Sequence, residues 1–157
     1  MENLSPPLGY GRRSAQNRGA ARLGAVSMPS MRYIQITSHE SIKAIDVSTQ
    51  IHFLLTPGEG RSPDTPLTDL TVGGVDISGD DEKYNVRLLS SKRVATVAKA
   101  LQTQSWESLD RVAKAGTDIY PPGSWHVGLR PDFENLRDFF SDAGEKGYAI
   151  IRVSSKR

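Results

Sequence analysis

The first periodic signal along the chain is Arg32-Tyr33-Ile34-Gln35-Ile36, which alternates as a half-buried strand does. Thr37 and Glu40 follow at capping-box spacing: the hydroxyl accepts from the Glu40 N–H and the carboxylate reaches back. A helix is therefore expected next, with Ile42 and Ile45 on one face. Ile51, Leu54 and Leu55 make a second helical stripe, separated from the first by Asp46 to Thr49 and stopped by Thr56-Pro57-Gly58. Residues 57–69 hold three Pro, two Gly and three acids, the composition of a loop. Strand-like runs return at Leu70-Thr71-Val72 and Val75-Asp76-Ile77, on either side of a Gly73-Gly74 pair suited to a turn, a bulge or a close backbone approach. Asn85 to Leu89 is the expected neighbouring strand.

The second half is mostly helical. Ser90 or Ser91 caps a helix carrying Val94, Val97, Ala98 and Leu101 at i, i+3, i+4 and i+7, with Lys92, Arg93 and Lys99 on its wet side. Ser105 is placed to cap another, with Trp106, Leu109, Val112 and Ala113 inward and Gly116 at its end. Consecutive prolines keep Ile119-Tyr120-Pro121-Pro122-Gly123-Ser124-Trp125-His126 out of helix, leaving an aromatic-rich loop. Pro131 fits the first turn of a last helix with Phe133, Leu136, Phe139, Phe140 and Ala143 buried, ended by Gly144 and Gly147. Tyr148 to Val153 is a terminal strand, central or covered on both faces. The order implies an α+β fold: a single domain over residues 31–157, with a small mixed sheet packed against four or five helices. Residues 1–30 lack any period and read as a disordered tail or an N-terminal extension, with Met28 and Met31 as alternative starts.

Composition removes several classes of chemistry. None of the 157 residues is cysteine, which excludes disulfides, thiolate metal sites and thiol nucleophiles. No apolar run nears the roughly eighteen residues of a membrane span. The formal charge of +2 divides into +3 over residues 1–31 and −1 over the rest, so the folded part is nearly neutral and no nucleic-acid partner is expected.

The order of several short motifs resembles the YfbM-like family of small bacterial proteins, a domain of unknown function. The matching pieces are His52-Phe53-Leu54-Leu55-Thr56, Gly73-Gly74, Leu88-Leu89-Ser90 leading into Val94 to Leu101, Ile119-Tyr120-Pro121 with Trp125, and Leu136 to Ile151. The resemblance implies a small cytoplasmic α+β domain and no particular chemistry. Two departures stand out: Ser48 occupies a position where the family pattern has Trp, and the helical insert after the first strand is shorter here.

Four residues are candidates for a ligand or partner site. His52 opens an apolar helical run, and an imidazole serves as acid, base or ligand near neutral pH; the competing reading is a ring bonded to a carbonyl or carboxylate at a packing junction. Tyr120, Trp125 and His126 on the stiff loop could stack a ligand or anchor a partner, or fold back to plug the core. His39, His52 and His126 show no metal-ligand spacing, and the acids Asp76, Asp80, Asp81 and Glu82 do not fit a calcium loop, so no metal and no cofactor is expected. No nucleophile elbow and no phosphate-binding loop is present. The expected function is therefore a non-catalytic protein-interaction domain that holds another protein, as an antitoxin or immunity protein does. The alternative is a small-molecule-binding protein or enzyme in which His52 and the Tyr120 to His126 loop line one cleft.

Overall fold

The computed structural model describes residues 30–37, 43–56 and 65–156. The readings of residues 1–29 as tail or extension, of Ile42 with the capping acid Glu40, and of the segment after Thr56 lie outside the described residues. Five strands, β1 (Ser30–Ile36), β2 (Ala44–Ser48), β3 (Val75–Asp76), β4 (Tyr84–Leu89) and β5 (Ala149–Ser155), form one sheet in the order β2-β1-β5-β4-β3. Its pairings are antiparallel throughout, so the α+β class stands and the sheet is not mixed. Helices α1 (Gln50–Leu55), α2 (Ser91–Gln102), α3 (Trp106–Ala115) and α4 (Leu129–Lys146), with a 3-10 helix at Pro66–Leu70, complete the described chain.

Three local expectations are corrected, at Ile45, at Leu70 to Val72 and at Gly144. Ile45 lies in a strand, not a helix: Ile45 and Val47 turn inward and Asp46 turns outward to take the Arg32 guanidinium through two bonds of 2.8 and 3.0 Å. Cross-strand pairing of β-branched residues outweighs a helix-start signal of four residues. Leu70-Thr71-Val72 is not a strand, because Pro66 starts a 3-10 turn and the N–H groups of Thr71 and Val72 both bond the Thr68 carbonyl, at 3.0 and 2.9 Å. The glycine pair then serves close approach. Gly74 has φ +88°, and a Cβ there would lie 2.6 Å from the Leu88 carbonyl oxygen.

Helices α2 and α3 start where hydroxyls satisfy their free N–H groups. Ser90 accepts from the Arg93 N–H at 3.4 Å and Ser105 from the Ser108 N–H at 3.2 Å. Pro131 sits in the first turn of α4, and Gly147 ends that helix in the left-handed conformation. Gly144 is not an end. It lies within α4, where its bare Cα lets the helix approach α2; an added Cβ would stand 3.2 Å from that of Ala98.

The helices cover one face of the sheet. Tyr33, Gln35, Val47, Leu89, Ile150 and Arg152 are buried on that side, facing Phe133, Leu136, Phe139 and Phe140 of α4 and Val94, Val97 and Leu101 of α2. Strand β5 is central, as its apolar run predicts.

Candidate functional site

Helix α1 divides the candidate residues between two environments, because His52 and Phe53 are one residue apart and so point about 100° apart around its axis. His52 faces the core and is buried. Its Nε2 lies 2.5 Å from the Tyr33 hydroxyl, which donates to the Leu70 carbonyl at 3.0 Å. A carbonyl only accepts, so the hydroxyl proton goes to Leu70 and His52 donates from Nε2, as the neutral Nε2–H tautomer. Its Nδ1 is buried and makes no hydrogen bond of full geometry among the described residues, although the Thr49 and Ser48 backbone lies close enough to favour the charged ring. Burial, and then the positive charge of Arg152, pull the His52 pKa down to about 4. Burial also raises the Tyr33 phenol and lowers the Arg152 guanidinium.

Arg152 is the largest fully buried side chain, and its Nη1 donates to the Asp69 carbonyl at 3.2 Å. Tyr33, His52 and Arg152 thus form a buried polar centre between sheet and helices. No carboxylate hydrogen-bonds the His52 ring, so the arrangement that would activate a histidine base is missing there.

Phe53 faces away from the core, toward the loop. Its ring meets Tyr120 edge-on at 5.3 Å, and Tyr120 lies 4.8 Å from the Trp125 ring centroid. The loop is closed on itself by Thr117, whose Oγ1 accepts from the Tyr120 N–H at 2.8 Å. It is fastened to α1 by Gln50, a buried side chain whose Oε1 accepts from the His126 N–H at 2.9 Å. Trp125 is half-buried against the core, as the fold-back reading expects.

The same loop leaves its remaining apolar groups outside: Val127 is 98% exposed and Ile119 63%. Between loop and α3 lies a hollow of about 270 Å³, lined by Trp106, Ala113, Trp125, His126, Val127 and Leu129 among others. Asp110 and Lys114, paired at 2.5 Å, stand on its α3 side. The structure thus brings Tyr120 against the Trp125 ring and places Trp125 and His126 in the lining of this hollow, which neither Tyr120 nor His52 lines. A second hollow, of about 450 Å³, lies beside the first turn of α2, where Arg93 is already taken by Asp69 at 2.9 Å.

Three residues escape a reading of the sequence. Gln50 carries no motif, Tyr33 reads only as one alternating strand position, and Arg152 sits in a run that reads as apolar. For Arg152 the period-two pattern does hold the signal, because Ile150 and Arg152 share a strand face. Among the described residues no group of three or more His, Cys, Asp or Glu could hold a metal ion, and no helix is long and apolar enough to cross a membrane.

Comparison with known proteins supplies a fold relationship. Residues 31–153 match the family described as Domain of unknown function (DUF1877). No curated protein matches the chain. Among solved structures, a protein of unknown function, YfbM from Escherichia coli, is similar with a TM-score of 0.54 and 15% identity, covering 80% of this chain and 99% of that one. At that identity the likeness shows the shared fold alone.

Proposed function

This chain belongs to the DUF1877 family, whose description assigns no activity, and we propose that the protein is a non-catalytic protein-interaction domain. The observation that carries the reading is the aromatic hollow beside α3. Two tryptophans line it, and a fully exposed Val127 and a largely exposed Ile119 belong to the same loop. A rigid aromatic wall with exposed apolar neighbours suits an anchor side chain from a partner polypeptide, since such contacts give area at little entropic cost. The partner this chemistry fits offers an aliphatic or aromatic anchor with a basic or acidic neighbour for the Asp110 and Lys114 pair. In this reading the protein holds a second protein in a bacterial cytoplasm, as an antitoxin or immunity protein does. The enzyme alternative loses His52, which is sealed behind Tyr33 outside the hollow, and keeps Trp125 and His126 of its candidate residues in the lining.

The test is a tagged purification of the full chain from its native host, with mass spectrometry of co-purifying proteins and extracted small molecules. Val127→Asp and Ile119→Asp change exposed positions and should release a stoichiometric protein partner, while His52→Gln should retain it. A reproducible small molecule held in the hollow, with no protein partner, would overturn the reading.

A further inference from the structure

The sheet has a second face, and nothing among the described residues packs on it. Antiparallel register aligns Ile34, Ile151, Leu88 and Val75 in one row across four strands. The adjoining row runs from Arg32 through Val153 to Val86. Ile34, Ile151, Val153, Val86 and Leu88 are only partly buried, and none of them belongs to the hydrophobic core or packs against it. At the margins of the same face Val75 is 66% exposed, and Ile36 and Tyr84 are also open. Solvated faces of antiparallel sheets ordinarily alternate to polar residues. This one repeats β-branched and aliphatic residues on both sides of its central strand.

We propose that this face is the contact surface of a symmetric dimer of the chain. Charge is the first argument for a second copy over an unlike partner. Within the two rows the only ionic groups are Arg32 and, opposite it on β2, Asp46, and these are bonded to each other. The face offers an unlike partner no charge to complement, and it does not repel its own copy.

Shape and area are the second argument. Two twisted sheets of like curvature pack face to face with side chains interdigitating about 10 Å apart, and a two-fold axis lets the same patch serve both partners. Five strands about 4.8 Å apart, averaging roughly 18 Å in length, present about 430 Å² in projection. With side-chain relief, two copies remove roughly 1,000 Å² or more from water, which reaches the lower bound of a specific interface. A patch of this size lies within the range of the largest patch on a monomeric protein, which is often functional. The surface is separate from the aromatic hollow, which lies on the helical side.

Sedimentation velocity of the full chain over about 1 to 100 μM tests the proposal. The expected species has twice the 17.2 kDa protomer mass. Ile151→Lys, which sets two ammonium groups near the dimer axis, should weaken association at least a hundredfold with the far-ultraviolet circular dichroism unchanged. If Ile151→Lys does not fold, Val75→Lys on the exposed margin reads the same surface and should weaken association about tenfold. Val127→Asp should leave the dimer intact. The proposal is overturned by a folded monomer at every concentration, whether the face stays open or another part of the same chain covers it. A dimer indifferent to both lysine variants overturns it equally.

Discussion

Acid should unlock this fold through His52. Its ring is buried, donates from Nε2 to Tyr33, and faces no carboxylate; the charged or titratable groups near it are Tyr33 from β1 and Arg152 from β5. Its folded pKa is about 4, against about 6.5 in the unfolded chain. Between those values the unfolded state carries one more proton, so stability rises with pH, and the contribution is lost as pH falls from about 6.5 to about 4. At about 1.4 kcal/mol per pH unit the full loss is about 3 kcal/mol, of which about 2 kcal/mol falls between pH 7 and pH 5. That is a large share of a small domain's stability. The carboxylate of Asp142, held down to about 2 by Lys146, Gln35 and Lys43, stays ionised across this window and adds nothing. The assay is urea unfolding at pH 7, 6 and 5, followed by circular dichroism, for the parent chain and His52→Gln. Glutamine keeps an N–H for Tyr33 and does not titrate. His39 and His126 are present in both proteins and cancel in the difference. The parent should lose about 2 kcal/mol more than His52→Gln over this range. Parallel curves for the two proteins would refute the assignment of His52 as a neutral, buried histidine.

The same centre gives two further tests. Tyr33→Phe deprives the Leu70 carbonyl of its donor and His52 Nε2 of its acceptor, and should cost about 1–3 kcal/mol in chemical denaturation. Arg152→Met removes a buried cation whose Nε has no partner, and should change stability by less than about 1 kcal/mol or raise it, whereas Arg152→Ala leaves a cavity and should cost about 2–5 kcal/mol. Gly74→Ala combines φ +88° with a Cβ 2.6 Å from the Leu88 carbonyl; it should cost more than about 1 kcal/mol, and hydrogen exchange should quicken first at Ile77, whose N–H bonds the Val86 carbonyl.

How far the sequence could be read depended on whether a signal was local. The stripes of α2, α3 and α4 were legible because one helix face repeats over 10–18 residues and the serine caps lie within three positions of their partners. The terminal strand was legible from its apolar run. Ala44 to Ser48 was not, because its strand character comes from Arg32 and Tyr33 across a hairpin, and β-pairing is a property of two segments. His52 could be singled out, yet its role was set by Tyr33 and Arg152, which lie 19 and 100 positions away along the chain. Tyr120, Trp125 and His126 stood together because one stiff loop carries them. Gln50, which fastens that loop to α1, had no pattern to betray it.

The distribution of chemistry over the molecule bears on function in its own right. Tyr33, His52 and Arg152 are enclosed, and their hydrogen bonds run to each other, to backbone carbonyls and, from the Tyr33 hydroxyl, to Met31 Sδ at 3.8 Å, whereas His126, Asp110 and Lys114 line the open hollow. Side chains that a small domain ordinarily needs for its core, including Val127, Ile119, Ile36 and Val75, are outside. Leaving aliphatic groups in water costs about 25 cal/mol for each Å² of apolar surface, and that cost is recovered when another surface covers them. Two separate exposures, one around the aromatic loop and one across the open sheet, therefore suit contact with other surfaces. Because they lie on opposite sides of the sheet, a dimer formed through the strands keeps both aromatic hollows facing outward and free to engage a partner.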